Sequence, residues 1–199
     1  MNIALPKPWT QERFFPWAEA QDIRYEFDGL QPVAMTGCNA RHSALTINLL
    51  TALSAKLQGA PCRLLGPDAG VETVNKAVRY PAALVTCAKF DLSSYTVPGV
   101  VVIFEVISPT SGKTDRIIKL SEYAAVASIR RYVIVESAFV GVTVLERQQG
   151  DAPWITSPLG NDGILRMPEI GIEMPVAEIY RDITFPEQQS DGLRLAEPD

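Results

Sequence analysis

The sequence has few of the residues on which common catalytic mechanisms depend. His42 is the single histidine in 199 residues, which excludes sites built on several imidazoles, such as the H-E-x-x-H zinc helix. The phosphate-binding patterns G-x-x-x-x-G-K-[ST] and G-x-G-x-x-G are missing, as is the serine elbow G-x-S-x-G. Any catalysis by this chain would therefore depend on carboxylates and amines.

Cysteines are also few, and their spacing does not suggest a metal site. Cys38, Cys62 and Cys87 are an odd number without a C-x-x-C pair. Each stands beside apolar or small residues, so we expect buried free thiols and no zinc site.

Long apolar runs are missing too. No stretch is long enough to cross a membrane, and the first twenty residues do not have the pattern of a secretory signal. We therefore expect a soluble, cytoplasmic protein that does not contact membranes.

The net charge of −5 disfavours non-specific coating of nucleic acid, which depends on lysine and arginine. It does not exclude a nuclease, because one face can remain basic. The candidates for such a rim are Lys76, Arg79, Lys89, Lys113, Arg116 and Arg130.

Hydrophobic residues make up 47% of the chain, which is enough for one sizeable core. We predict a single domain over residues 1–185 and a disordered acidic tail over 186–199. Leucine and alanine spacing predicts an amphipathic helix over Asn39–Leu57. Apolar runs predict strands at 62–65, 71–74, 82–87, 100–107, 132–136 and 142–146, and shorter ones at 154–167.

Two further helices and two turns complete the prediction. A helix is expected before the hairpin turn at Asp28-Gly29, and another from Thr114 to about Ser128, after a loop at 108–112. The second helix should bury Ile117, Ile118, Leu120, Ala124 and Ala127. A final helical turn is expected at 176–180. This order predicts an α/β fold with a mixed sheet flanked by helices.

Glu105 is a carboxylate inside the apolar run VVVIFEVI, so it requires an explanation. Lys119 lies four residues after Asp115 and four before Tyr123, which places the three on one helix face. In phosphodiester hydrolysis, a carboxylate such as Glu105 can bind a metal ion, and an amine such as Lys119 can orient the attacking water. Glu26 could supply another oxygen to the metal. Non-catalytic roles remain open for all three residues. Glu105 could belong to a buried structural ion pair, Lys119 could lie on a solvated helix face, and Glu26 could be an ordinary residue beside a turn. For His42, near a helix start, a capping or surface role is expected.

Five motifs occur in order: R-Y-E-F-D-G, N-x-R-H-S-x-L, Y-P-x-A-L-V-T, F-E-V-I-S-P-T-S and D-R-x-x-K-L-x-x-Y-A. Together they resemble the Uma-two family of restriction endonuclease-like proteins over about Arg24 to Tyr180. The resemblance implies a PD-(D/E)XK nuclease core, a DNA substrate, a homodimer and Mg²⁺. It also implies that Glu105 binds the metal, that Lys119 replaces the lysine usual at position 107, and that Glu26 is an auxiliary catalytic acid.

The chain departs from this pattern at Ala82, where the family has a metal-binding Asp after Tyr80-Pro81. A methyl group cannot coordinate Mg²⁺. Either the chain is an inactive relative, or the site has been silenced by substitution, or Glu105, Glu26 and the main-chain carbonyl of Val106 hold the metal alone. We predict a DNA endonuclease scaffold that is inactive or impaired. The alternative is a non-catalytic binding or regulatory module on the same fold.

Overall fold

The computed structural model describes residues 7–35, 37–107 and 114–185, and excludes the side chains of 114–116. The predicted loop at 108–112 and the predicted tail at 186–199 lie outside these ranges. The helices are α1 (Gln11–Glu19), α2 (Ala40–Lys56), a π-helical turn (Thr114–Lys119), α3 (Leu120–Ala124) and α4 (Val176–Ile179). Short 3₁₀ turns span Val74–Lys76 and Pro168–Ile170.

Twelve strands are present in the described ranges. They are β1 (Tyr25–Phe27), β2 (Pro32–Ala34), β3 (Arg63–Leu65), β4 (Val71–Glu72), β5 (Val78–Arg79), β6 (Ala83–Thr86), β7 (Val100–Ile107), β8 (Arg131–Glu136), β9 (Val142–Glu146), β10 (Ile155–Leu159), β11 (Ile164–Met167) and β12 (Ile172–Pro175). The main sheet has the order β10-β9-β8-β7-β6-β3, and a small sheet has the order β2-β1-β5-β4. β11 and β12 form a separate pair.

The main sheet is mixed, as predicted. β7 and β8 are parallel, whereas the other neighbouring pairs are antiparallel. The chain between β7 and β8 contains the π-helical turn and α3, and a crossover of this kind is what a parallel pair needs. β7 is buried at every position except Val101, which confirms the prediction of an interior strand.

The two faces of β7 pack against different helices. Phe104 belongs to the core that contains Leu49 of α2, and Ile103 belongs to the core that contains Tyr123 of α3. Because side chains alternate along a strand, Glu105 lies on the α3 side of the sheet. The alternation thus explains which helix can reach the carboxylate.

The helix after β7 differs from its prediction. Its first part is a π-helical turn, and α3 ends at Ala124 instead of near Ser128. Ile117 and Ile118 are 62% and 47% exposed, whereas Lys119 and Tyr123 are buried. A π-helical turn is wider than an α-turn, so a pattern based on 3.6 residues per turn selects the wrong face. The buried face is therefore polar.

The prediction of buried free thiols is wrong. Cys62 and Cys87 form a disulfide, and Cys38 is exposed. Arg63 of β3 pairs with Thr86 of β6, so Cys62 and Cys87 follow as the next pair across the same antiparallel ladder. The pairing results from strand register, which cysteine spacing alone does not show.

Local turns agree with the sequence. The Asp28 side chain accepts hydrogen bonds from the backbone N–H groups of Leu30 (2.8 Å) and Gln31 (2.7 Å), and Gly29 has a φ of +89°. These features close the predicted β1–β2 hairpin. Among the described residues, no helix is long and apolar enough to cross a membrane.

Candidate active site

Glu105 is bound by two side chains from the polar face of the following helix. Its Oε1 accepts hydrogen bonds from Lys119 Nζ at 2.9 Å and from Tyr123 Oη at 3.1 Å. All three side chains are buried. The four-residue spacing between Lys119 and Tyr123 brings both donors to the same carboxylate, whereas the side chain of Asp115 lies outside the described part of the chain.

Glu26 enters the same cluster from the small sheet. Its Oε1 lies 3.2 Å from Lys119 Nζ and accepts the backbone N–H of Tyr80 at 3.2 Å. Its Oε2 accepts a hydrogen bond from Arg79 Nη1 at 3.0 Å. Lys119 therefore lies between two carboxylates that are 79 positions apart in the sequence.

Arg79 extends this cluster to α3. Its Nε and Nη2 each donate to an oxygen of Glu122 at 2.6 Å, which is the bidentate arrangement that guanidinium favours. Arg79 is 5% exposed, so its assignment to a DNA-facing rim is wrong. No sequence pattern indicated this pair, because its members lie on separate elements 43 residues apart.

The network fixes the protonation of two of its members. Burial, together with the charge of Glu105, raises the pKa of Tyr123 well above its usual value, so the phenol remains a donor. Burial by itself would lower the pKa of Arg79, but the hydrogen bonds and charges of Glu122 and Glu26 raise it overall. Both groups therefore keep their protons at any physiological pH.

These side chains lie at the base of a cleft of about 660 Å³. Glu26, Glu105, Lys119 and Ala82 all line it. Ala82 directly precedes Ala83, which pairs with Phe104, the neighbour of Glu105 in β7. The structure thus brings together all four positions that the sequence singled out.

His42 and Val106 also line this cleft. His42 Nε2 lies 2.7 Å from the main-chain carbonyl oxygen of Val106, and since a carbonyl only accepts, Nε2 carries the proton. The helix cap is Asn39, whose side chain accepts the His42 backbone N–H at 3.0 Å. The Val106 carbonyl, a metal ligand in one of the three alternatives for Ala82, is therefore bound by an imidazole.

The described residues do not fit Mg²⁺ as they stand. No group of three or more His, Cys, Asp or Glu side chains in the described ranges is arranged to hold a metal ion. The ammonium group of Lys119 lies between the two carboxylates that would provide oxygens, and Ala82 provides none. Magnesium requires oxygens in near-octahedral geometry, which this donor set does not offer.

The remaining described members of the predicted basic rim differ in their contacts, and Lys89 is exposed. Lys76 pairs with Glu72 at 2.8 Å, and Arg130 donates to the carbonyl of Arg147 at 3.1 Å. Lys113 and the side chain of Arg116 lie outside the described residues.

Comparisons of the sequence with known proteins identify related chains. The model of the Uma2 family, described as "Putative restriction endonuclease", matches residues 11–177. The uncharacterized protein slr1290 of Synechocystis sp. is 29% identical over 180 residues, which cover 88% of this chain and 93% of that protein.

A solved structure supports the fold. The crystal structure of a "putative nuclease belonging to DUF820" from Anabaena variabilis matches with a TM-score of 0.64 and 11% identity, covering 80% of this chain and 91% of the other. At that identity the likeness shows the fold, which is the restriction-endonuclease-like α/β fold predicted from the sequence. Because the family model spans most of its length, the chain belongs to the Uma2 (Uma-two) family of restriction endonuclease-like proteins.

Proposed function

We propose that this chain is a DNA-directed protein of the PD-(D/E)XK nuclease type whose hydrolytic site is disabled at Ala82. The family and the solved nuclease-like structure support a nuclease. One observation carries the finer proposal: Glu105, Lys119 and Glu26 converge in a single cleft, and a methyl group occupies the remaining position.

The contacts support the proposal that the site does not hold a metal. Lys119 Nζ is within 3.2 Å of a carboxylate oxygen of both Glu105 and Glu26, so its positive charge neutralises the groups that would otherwise attract a cation. Arg79 engages the other oxygen of Glu26. Buried ion pairs therefore engage both carboxylates of the cleft.

Cleavage of supercoiled plasmid tests the proposal. This chain and its Ala82→Asp, Ala82→Asn and Ala82→Asp/Glu105→Ala variants are incubated with Mg²⁺ or Mn²⁺. We expect nicking by Ala82→Asp only. Ala82→Asn is the matched control, because it adds nearly the same volume without the charge that a metal requires.

Two outcomes would overturn the proposal. Cutting by the unchanged chain would show that Ala82 does not disable the site. A folded Ala82→Asp variant that binds the metal and does not cut would show that the cleft is not a nuclease site.

The second candidate is a non-catalytic binding module, and the ion pairs of Lys119 favour it because they occupy the Glu105 and Glu26 carboxylates that a metal would need. Gel shifts with short duplexes at low and moderate salt test it. Binding that weakens with salt supports a DNA partner, and no binding by any variant points to a protein partner.

The main proposal includes a homodimer, since two copies related by a two-fold axis can each contact one strand of DNA. Light scattering of the purified chain tests it, and a monomeric mass would contradict it.

A further inference from the structure

We propose that a groove leading from the cleft past Tyr80 binds a single strand of nucleic acid, with one unpaired base in a side pocket. The inference rests on the proposed function, because it assumes that nucleic acid is the ligand. It adds a binding site outside the cleft and a preference for unpaired bases.

The side pocket adjoins the candidate active site. It has a volume of about 370 Å³ and is lined by Tyr80, Phe90, Leu92 and Tyr95, among others. Tyr80 also lines the main cleft, and its backbone N–H is bound to Glu26. A smaller cavity of about 180 Å³, which includes Arg24, Tyr80 and Tyr95, lies beside both. A strand that leaves the cleft would therefore meet the pocket next.

The walls of the pocket suit the flat face of a base. Tyr95 is 47% exposed and Leu92 is 73% exposed. The Tyr95 ring stacks on Phe15 at 4.3 Å and 7°, and its hydroxyl donates to Glu19 at 2.8 Å. These contacts hold the ring in place, so little conformational entropy would be lost when a base packs against it.

Two guanidinium groups lie beside the aromatic walls. Arg24 lies 5.6 Å from the Tyr80 ring centroid, and Arg63 lies 6.0 Å from that of Phe90. Arg24 is fixed by an ion pair with Asp68 at 3.2 Å and also lines the main cleft. Aromatic faces flanked by cations are the usual means of binding single strands, since the former stack on bases and the latter contact phosphates.

The pocket also offers an acceptor to the edge of a base. Asp68 lines it, and its side chain is 88% exposed. A carboxylate accepts hydrogen bonds from the exocyclic amino group of cytosine or adenine. A base can reach this position only when it is unpaired, which is why the occupant is a single strand and not a duplex.

Fluorescence anisotropy with short labelled strands tests the proposal. The full chain is titrated with an oligo-dC strand and with an abasic strand of equal length, at low salt. We expect the chain to bind oligo-dC more tightly. Tyr95→Ala and Phe90→Leu should weaken that binding about 5- to 150-fold, the range expected for one stacked base, and leave abasic binding unchanged.

Phe139→Ala is the matched control, since Phe139 is 50% exposed and does not line the groove. Near-ultraviolet circular dichroism verifies that each variant is folded. The proposal is overturned if the unchanged chain binds both strands equally or binds neither, or if Phe139→Ala has the same effect as the pocket variants. Plasmid nicking by Ala82→Asp is scored separately, so failure of the side pocket is distinguishable from failure of the proposed function.

Discussion

At the scale of single residues, Lys119 supplies the positive charge on which two buried carboxylates depend. Lys119→Met removes the ammonium partner of Glu105 and leaves Glu26 paired with Arg79 alone, and removing one partner of a buried pair costs about 3–5 kcal/mol. Glu105→Gln should cost less, about 1–3 kcal/mol, because Lys119 keeps its contact with Glu26. Urea unfolding measures both losses.

The control for this prediction is Lys56→Met. Lys56 pairs with Glu178 at 3.1 Å, but the two side chains are 28% and 37% exposed, so the loss should stay below about 1 kcal/mol. Equal losses for the two lysines would show that burial of the Lys119 pairs does not matter to stability.

Ala82→Asp should make stability depend on divalent cations. The new carboxylate faces a cleft that already contains Glu26 and Glu105, so like-charge repulsion should lower the free energy of unfolding in chelator. A divalent cation at a concentration of 100 times its dissociation constant should raise the free energy of unfolding by about 2.7 kcal/mol. Thermal unfolding with and without Mg²⁺ measures this effect, and a similar response of Ala82→Asn would contradict it.

The sequence revealed only part of this site. Glu105 was detectable because its strand is otherwise apolar, and Lys119 because it recurs in a family motif. Arg79 and Glu122 were not detectable, since each is an ordinary surface residue until folding brings β5 against α3. Long-range ion pairs are determined by topology, which a residue pattern does not encode.

At the scale of elements, strands were easier to predict than the helix that carries Lys119. β7 matches its predicted range because it is apolar at every position except Glu105, whereas β5 and β12 were not predicted. The end of α3 is stabilised by Arg147, which donates to the carbonyls of Ala124 (2.7 Å) and Val126 (2.6 Å). Arg147 directly follows β9 and is distant from α3 in the sequence. The residues of the helix itself therefore did not show where it ends.

The disulfide should stabilise the edge of the main sheet. Cys62 and Cys87 are 25 positions apart, and closing a loop of that length in the unfolded chain corresponds to about 3.5 kcal/mol of stabilisation through lost entropy. Dithiothreitol should therefore lower the urea midpoint of this chain. A Cys62→Ser/Cys87→Ser variant should start near the reduced value and show no response, and a response of that variant to dithiothreitol would contradict the assignment.

At the scale of the whole molecule, the phenol of Tyr180 helps to tie the turn at α4 to the main sheet. The Tyr180 hydroxyl lies 2.9 Å from the carbonyl oxygen of Glu136 and 2.6 Å from that of Gly141. Tyr180 belongs to the same core as Leu49 of α2 and Val133 of β8. The turn at α4 therefore shares the main core instead of forming a separate unit.

The stability that the Tyr180 hydroxyl provides should be lost at alkaline pH. Burial raises the pKa of Tyr180 from 10.0 to about 12, so between these values the unfolded chain releases a proton that the folded chain keeps. Unfolding then becomes more favourable as pH rises, and the stability lost by the upper value is about 3 kcal/mol at most. Below pH 10 the Tyr180 hydroxyl is protonated in the folded and the unfolded chain, and it contributes fully to the free energy of unfolding.

Urea unfolding of this chain and of Tyr180→Phe across that range isolates the effect. Tyr180→Phe should be less stable by about 1–3 kcal/mol near neutral pH, because the hydroxyl that donates to the buried carbonyls of Glu136 and Gly141 is removed. It should also lose less stability between pH 10 and 12, since it has no proton to release at this position. Tyr123, whose pKa is raised in both proteins, contributes equally and cancels in the difference. Parallel stability curves would show that the phenol does not control the alkaline transition.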